Sequence, residues 1–244
     1  MKYYYDLHIH SCLSPCGDND MTPQNIVNMA ALAGLQIIAL TDHNSTRNCK
    51  AVSLAASEVG ITLIPGMELC TSEEIHVVCL FPSVEDAAEF GAQLQLPPIK
   101  NKPQIFGQQL VMDEQDKVID EETYLLINAS GISIDQVLPL ARCYHGTAFP
   151  AHIDRDSYSM PVALGDIPPL GFAVMEVSAK GNTKKLVEQY PNIQGKPLLL
   201  NSDAHYLHQI QDAGAWMDLS DSSPETVIAA LDGKIEAAFG RSSE

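Results

Sequence analysis

Potential metal ligands recur where hydrophobic runs of this chain end, and this pattern restricts the fold more than any other feature. Six of the eight histidines in the 244-residue sequence belong to these clusters. A β/α barrel presents side chains to its active face at the carboxyl ends of its strands, so ligands at successive strand ends would lie on one face. The candidate ligands are His8, His10, Asp18, His43, Glu68, His76, His152, Asp203 and His205.

The first third of the chain alternates strand-like and helix-like segments. Residues 3–9 and 35–40 read as strands, the second of them an apolar run typical of a buried parallel strand. Helices are predicted at 24–33, after a Thr-Pro start signal, and at 45–59. A third strand is predicted at 61–64. Strands separated by helices indicate a parallel sheet, and 244 residues allow one large α/β domain over residues 1–244.

Residues 83–140 depart from this alternation. A Pro-Pro pair and an acidic stretch suggest an irregular insertion, which would contain a hairpin and a possible small substrate cap. The hairpin strands are predicted at 108–112 and 117–120. Later elements are predicted as a helix at 134–143, strands at 148–153, 172–177 and 197–200, and a final helix at 224–231.

The composition limits the partners. A formal charge of −17 argues against broad nucleic-acid binding, which depends on many Lys and Arg contacts to phosphate. The charge does not exclude a phosphorylated substrate, because bound divalent cations would reverse the sign locally. The sequence shows neither a membrane-spanning apolar run nor a signal-peptide pattern, so a cytoplasmic protein without membrane association is expected.

Six dispersed cysteines predict reduced, partly buried thiols rather than a disulfide framework. Cys12 and Cys16 have a second interpretation as a soft-metal pair. A second thiol pair at zinc-ribbon spacing, which would support that interpretation, is absent from the sequence.

The ligand types indicate the metal. Side chains alternate along a strand, so His8 and His10 would point to one side and bind one cation. Asp203 and His205, also two residues apart, could serve two adjacent cations. Mixed nitrogen and oxygen ligands suit Zn²⁺, Mn²⁺ or Fe²⁺ better than Ca²⁺ or Mg²⁺. Nine ligands exceed the needs of one ion, and two or three divalent ions are therefore expected.

Five motifs, in order from residue 6 to about 206, resemble those of the PHP (polymerase and histidinol phosphatase) phosphoesterases. They are Asp6-Leu-His-Ile-His10-Ser, Thr41-Asp-His43-Asn, Gly66-Met-Glu68, Ala151-His152-Ile-Asp-Arg155 and Ser202-Asp-Ala-His205. The resemblance implies a distorted (β/α)7 barrel with a trinuclear metal site at the carboxyl ends of the strands. It also implies three ligand sets: His8, His10, Glu68 and Asp203; Asp18, His43 and His205; and Glu68, His76 and His152.

One part of the resemblance is incomplete. Many relatives place an acid directly after the serine that follows the His-x-His segment, whereas here Ser14 is followed by Pro-Cys-Gly-Asp. Asp18 is the predicted ligand at this place, and Asp20 is the alternative.

Other polar residues near the motifs are candidates for binding the substrate or for orienting a metal ligand. Arg155 is predicted to bind the substrate phosphate with its planar guanidinium, the alternative being an ion pair with a neighbouring aspartate. Asp42 would orient a metal ligand or cap the strand end. Asn44 and Lys180 are candidates for substrate binding. The two remaining histidines, His145 and His208, are expected at the surface or in packing.

The predicted function is metal-dependent hydrolysis of a phosphomonoester or small phosphodiester by a metal-bridging hydroxide. The substrate would be a phosphorylated small molecule or a short nucleotide. Two alternatives remain open: a C–N hydrolase of the amidohydrolase type, whose barrels also begin with His-x-His, and a non-catalytic, metal-stabilised regulatory domain.

Overall fold

The computed structural model describes residues 1–178 and 181–242, which fold into a mixed α/β domain. The strands of these residues are β1 (Lys2–Ile9), β2 (Ile37–Leu40), β3 (Thr62–Cys70), β4 (His76–Leu80), β5 (Leu110–Met112), β6 (Val118–Glu121), β7 (Thr147–Pro150), β8 (Met175–Ser178), β9 (Leu198–Asn201), β10 (Ala215–Asp218) and β11 (Ala238–Arg241). Their α-helices are α1 (Pro23–Leu32), α2 (Cys49–Val59), α3 (Val84–Gly91), α4 (Pro103–Phe106), α5 (Ile134–Cys143), α6 (Met160–Leu164), α7 (Thr183–Gln189) and α8 (Pro224–Leu231).

The main sheet has the strand order β11-β10-β1-β2-β3-β4-β7. Strands β1, β2 and β3 are parallel, as are β8 and β9 in a separate pair. Strand β4 departs from this parallel arrangement and is antiparallel to both β3 and β7. The reason is local: a short turn rather than a crossover helix connects β3 to β4, and such a turn can join only antiparallel strands.

Backbone hydrogen bonds close the strands into a distorted seven-stranded barrel, as the sequence resemblance implied. Ile153 N donates to Glu176 O at 2.9 Å and thereby connects the end of β7 to β8. His10 N donates to Ala204 O at 2.9 Å and connects the end of β1 to the residues after β9. The barrel strands are β1, β2, β3, β4, β7, β8 and β9, while β10 and β11 extend the sheet beyond β1.

Helices cover the strands through three apolar clusters. One cluster packs α1 and α2 against β2, a second packs α3 and α5 against β3 and β4, and a third packs α8 against β1, β2 and β7. The side chains in these clusters are almost fully buried. Burial of this apolar surface is the main stabilising contribution to the fold.

Helix ends follow the sequence signals closely. Thr22 accepts a hydrogen bond from Asn25 N at the start of α1, and Ser133 with Gln136 forms a capping box at the start of α5. Helices α5 and α8 have the predicted bounds, and α1 lies one residue earlier than predicted. Among residues 1–178 and 181–242, every helix is too short or too polar to cross a membrane.

The insertion at residues 83–140 contains the predicted hairpin, formed by β5 and β6. Asn48, which directly precedes α2, attaches this hairpin to the barrel. Its amide nitrogen donates to Leu110 O at 3.1 Å, and its amide oxygen accepts from Met112 N at 3.0 Å. The insertion is therefore fixed to the same end of the barrel as the loops that follow β1 and β2.

Candidate metal centre

Three groups of side chains have ligand atoms within 4.8 Å of one another and could each hold a metal ion. The groups are His8, His10, Glu68 and Asp203; His10, His43 and His205; and His43, Glu68 and His76. His152 adjoins them, with its Nε2 atom 3.1 Å from Glu68 Oε1. Because the groups share members, they form one continuous cluster, which is called the ligand cluster below.

Glu68 lies at the middle of the ligand cluster and is almost fully buried. Its Oε1 atom is 2.9 Å from His76 Nδ1, and its Oε2 atom is 3.0 Å from His43 Nδ1. Burial alone would raise the pKa of this carboxyl group, but the imidazoles of His76 and His8 outweigh it and hold the pKa well below its usual value. Glu68 is therefore ionised and can bridge neighbouring cations.

The position of Glu68 results from a change of partner along β3. Up to Pro65 this strand is parallel to β2, and from Gly66 onward it is antiparallel to β4. A Cβ atom at Gly66 would overlap the Cys79 carbonyl oxygen, so only glycine permits this close approach. Strand β3 therefore continues past the predicted end and places Glu68 within regular β structure.

A buried carboxylate contacts the Nδ1 side of His8 and thereby orients its ring. The Nδ1 atom of His8 lies 2.9 Å from Glu176 Oε2 on β8. Glu176 also accepts hydrogen bonds from His152 N at 3.0 Å and from Asn201 Nδ2 at 2.7 Å. A carboxylate accepts, so His8 Nδ1 carries a hydrogen and its Nε2 atom is the one directed at Glu68 and Asp203.

His10 is oriented by a serine and an aspartate. Its Nδ1 atom is 2.9 Å from Ser14 Oγ, which donates to Asp42 Oδ1 at 2.7 Å. Asp42 also accepts from Ser11 N at 2.7 Å, so its contacts combine the two roles predicted for it. Because the serine hydroxyl donates to Asp42, it accepts from His10 Nδ1, and His10 Nε2 is left with a lone pair.

The loop after β1 brings a thiol to the ligand cluster. The Sγ atom of Cys16, a residue exposed to solvent, lies 3.2 Å from His43 Nε2. Burial raises the pKa of this thiol, but the hydrogen bonds to His205 and His43 outweigh it and lower the pKa to about 6. His205 Nδ1 donates to Asp203 O at 3.0 Å, which leaves its Nε2 atom free for a cation.

Backbone strain is concentrated around the ligands. Asn44, His152 and Asp203 have φ angles of 47°, 28° and 51°, in the region that non-glycine residues rarely adopt. Each such residue costs on the order of 1–3 kcal/mol and persists only where its surroundings determine it fully. All three follow barrel strands and are themselves candidate ligands or the direct neighbours of one.

The donor set fits divalent cations. The Nε2 atoms of His8 and His10 are only 3.1 Å apart in a fully buried setting. Asp203 Oδ1, which faces both of them, makes no hydrogen bond within the described part of the chain. A buried polar atom without a partner is costly, and a cation between this oxygen and the two imidazoles would satisfy it.

Residues 6–158, more than half of the sequence, match the PHP domain family. The chain belongs to this family. A 5'-3' exoribonuclease of Haemophilus influenzae is 40% identical over 83 residues, which cover 33% of this chain and 29% of that relative. A 3',5'-nucleoside bisphosphate phosphatase of Chromobacterium violaceum is 34% identical over 84 residues, covering 34% and 28%. The matched segments thus span less than a third of these relatives.

Structural similarity extends over nearly the whole PHP chain. The lesion-specific endonuclease PfuEndoQ from Pyrococcus furiosus superposes with a TM-score of 0.68 at 18% identity. The superposition covers 98% of this chain and 58% of the endonuclease. At this identity the similarity concerns the fold, and it agrees with the barrel described above.

One predicted ligand of this PHP domain lies outside the three groups. The carboxylate of Asp18 accepts from Asp20 N at 2.9 Å, and the Asp18 backbone N donates to His205 O at 2.9 Å. Asp20, the alternative, is exposed and is also absent from the groups. The other eight predicted ligands are brought together in the ligand cluster.

The residues of the PHP domain that are predicted to bind the substrate differ from one another in their contacts. Arg155 Nη1 is 2.6 Å from Asp203 Oδ2, so its ion pair is with a candidate ligand and not with an adjacent aspartate. Both N–H donors of the Asn44 side chain are used by Leu126 O and Asn128 O, so the contacts of Asn44 are structural. Lys180 lies outside the described residues.

The two unassigned histidines are remote from the groups. His145 is exposed and pairs with Asp86 at 2.9 Å, whereas the ring of His208 lies 5.6 Å from that of Tyr206. Neither belongs to any of the three groups of candidate ligands.

Sequence reasoning missed the residues that support the ligands and one that lies among them. Glu176 and Asn201 are polar residues within or at the end of otherwise apolar strands, and that contrast is the signal that would have identified them. Cys16 lies near the place where relatives have an acid, but the sequence gives no sign that its thiol is directed at the imidazoles. The sequence also gives no sign that the hydroxyl of Ser14 orients His10.

Proposed function

We propose that this protein is a metal-dependent phosphoesterase that hydrolyses a phosphomonoester or a small phosphodiester. The supporting observation is the ligand cluster itself, in which six imidazoles and the carboxylate of Asp203 lie around the buried Glu68. Two relatives are named an exoribonuclease and a nucleoside bisphosphate phosphatase, and both names denote cleavage of phosphate esters. The family membership and the donor set therefore favour the same chemistry.

Three ions would account for all of the candidate ligands. We assign His8, His10, Glu68 and Asp203 to the first ion, His43 and His205 with the predicted Asp18 to the second, and Glu68, His76 and His152 to the third. When bound, such ions lower the pKa of a coordinated water and stabilise negative charge on phosphate oxygens. Mn²⁺, Fe²⁺ and Zn²⁺ are the candidates by ligand type.

Arg155 is the residue best placed to bind the phosphate of the substrate. Its guanidinium is 44% exposed while one nitrogen remains paired with Asp203, so it faces both solvent and the ligand cluster. A planar guanidinium can donate two parallel hydrogen bonds to a phosphate. The ion pair with Asp203 holds the side chain in position before the substrate arrives.

We further propose that the insertion at residues 83–140 is a substrate cap. A cleft of about 660 Å³ begins beside Asn44, the neighbour of His43. One wall contains Arg47 and Lys50, and the other contains Tyr124 and further residues of the insertion. A cleft of this size suits a small molecule or a short nucleotide, and the charge of −17 disfavours long nucleic acids.

The test is a panel of phosphomonoesters, nucleoside bisphosphates, short oligonucleotides and amides, assayed with metal-replete protein. The His43→Ala variant should lose turnover, because His43 belongs to two of the three ligand groups. Arg155→Ala should raise KM on the order of tenfold or more, the effect of losing a charged hydrogen bond, and Arg155→Lys should recover only part of it. Arg241→Ala, at an exposed arginine, is the matched control.

The outcomes separate the functions. Cleavage of any phosphoester that disappears in His43→Ala supports the proposal. Cleavage of amides alone would show a C–N hydrolase, and absence of any turnover by protein with a full metal content would indicate a non-catalytic domain. Unchanged turnover in His43→Ala would remove the assignment of the ligand cluster.

A further inference from the structure

We propose that Cys16 is a sulfur ligand of the second metal position and occupies the place for which Asp18 is the predicted ligand. This inference rests on the proposed metal dependence, but it concerns the composition of the site rather than its substrate. The resulting donor set would be one sulfur with the imidazoles of His43 and His205, since His10 is assigned to the first ion.

The first observation is proximity. Cys16 Sγ lies 3.2 Å from His43 Nε2. The ligand nitrogens of His43 and His205 lie within 4.8 Å of each other. One sulfur with two imidazoles is a donor set found in catalytic zinc sites, which use three protein ligands and keep a fourth position open.

The second observation is the orientation of the His43 ring. His43 is 5% exposed, and its Nδ1 atom lies 3.0 Å from Glu68 Oε2. The opposite ring nitrogen, Nε2, therefore faces Cys16, so this buried imidazole presents its second nitrogen to the thiol.

The third observation is that two successive turns fix the thiol. Ser14 N donates to Ser11 O at 3.1 Å, and Gly17 N donates to Ser14 O at 2.8 Å. A Cβ atom at residue 17 would overlap Ser11 O, so this turn requires glycine. The Ser14 hydroxyl also accepts from His43 N at 3.2 Å, which ties the turns to the loop that carries His43.

Asp18 is directed elsewhere by the same turns. Its carboxylate accepts from Asp20 N at 2.9 Å. Asp18 and Cys16 both line the surface depression beside Phe106, but it is Cys16 whose side chain contacts an imidazole. The thiol is the side chain that the loop presents to the imidazoles.

A sulfur donor changes which metal is preferred. Thiolate ligands favour Zn²⁺ and Fe²⁺ over the harder Mn²⁺ and Mg²⁺. We infer that the second position selects a softer ion than a purely nitrogen and oxygen site would. The Cys16→Asp variant should shift this selectivity toward Mn²⁺.

The experiment is Co²⁺ substitution of the metal-depleted full-length protein, followed by electronic absorption. The wild type and the Cys143→Ser control, at an exposed thiol on α5, should both show a thiolate-to-cobalt charge-transfer band. Cys16→Ser and Cys16→Asp should lack the band. X-ray absorption of the zinc form should show a sulfur neighbour at about 2.3 Å in the wild type and none in Cys16→Ser.

The affinity for Zn²⁺, measured by competition, should fall at least 10–100-fold in Cys16→Ser. This is the loss typically caused by replacing a residue that only supports a metal ligand, and replacing a ligand itself should cost at least as much. Asp18→Asn should bind Zn²⁺ as the wild type does. A band that is absent from the wild type, or that persists in Cys16→Ser, would overturn the inference. Failure of the proposed function is distinguishable: the band would be present while every phosphoester remained uncleaved.

Discussion

At the scale of single residues, the ligand cluster is organised by hydrogen bonds behind the imidazoles. Glu176 holds His8, Asp42 holds His10 through Ser14, and the Asp203 carbonyl holds His205. In each case the acceptor fixes the hydrogen on Nδ1 and leaves Nε2 for a cation. The geometry of the cluster therefore depends on groups that are not themselves ligands.

Glu176→Gln should weaken metal binding about 10–100-fold, because the neutral amide orients His8 less firmly and makes its imidazole a weaker donor. The measurement is competition with a chromophoric chelator, combined with metal analysis after dialysis. Glu58→Gln, at an exposed position on α2, is the control and should bind as the wild type does. Equal affinities for both variants would show that Glu176 has only a packing role.

The ligands could be predicted from the sequence, whereas their supports could not. His8 and His10 are recognisable because their spacing has meaning within one strand. Glu176 is 168 residues away from His8, and only the closed barrel brings the two together. For Cys16 the obstacle was different, since the direction of its side chain depends on the two turns around Gly17.

At the scale of elements, the hairpin formed by β5 and β6 depends on one asparagine. The side chain of Asn48 connects Leu110 and Met112 to the loop after β1 through a further hydrogen bond to Ser11 Oγ at 2.9 Å. All three contacts are buried. Thr22, Gln24 and Arg47 also join the hairpin to the barrel, but through partly buried or exposed hydrogen bonds.

Asn48→Ala should destabilise the protein by roughly 1–3 kcal/mol, because it leaves buried backbone groups of β5 without partners. Limited proteolysis should show faster cleavage within residues 105–122, and urea unfolding should give the loss of stability. Gln115→Ala, in the exposed turn of the same hairpin, should change neither. Protection equal to that of the wild type would mean that other contacts hold the hairpin.

The elements whose ends carry a capping residue or a proline were predicted most closely. Helices α1, α5 and α8 begin at capping residues or prolines, and their bounds agree with the prediction to within one residue. Strand β3 was predicted too short, because the sequence does not show that it exchanges β2 for β4 as its partner at Gly66. Strands β10 and β11 were not predicted, since their pairing with β1 arises between distant parts of the chain.

At the scale of the whole molecule, one buried carboxylate connects three elements far from the ligand cluster. Asp232, after α8, accepts hydrogen bonds from Arg142 Nε of α5 at 3.0 Å and from Thr147 Oγ1 of β7 at 3.1 Å. Its pKa lies below the usual 3.8: burial opposes this, but the hydrogen bonds from Arg142 and Lys234 outweigh it. The carboxylate therefore stabilises the fold in its ionised form.

Asp232→Asn should lower stability at neutral pH by roughly 1–3 kcal/mol, the effect of losing a charged hydrogen bond. Because the pKa of the carboxyl is lower in the folded state, its contribution is present above 3.8 and is lost as the pH falls through the folded pKa. The difference between variant and wild type in urea unfolding should thus shrink in acid. Asp212→Asn, at an exposed position, is the comparison, and a difference independent of pH would contradict the assignment.

The strained residues around the ligands also determine an order of assembly. Asn44, His152 and Asp203 hold their unfavourable φ angles through contacts of the barrel, so the donors are crowded together as soon as the chain has folded. If cations bind there as proposed, the packing of the barrel holds the donors in place before an ion arrives. A chelator should then leave the protein folded but less stable.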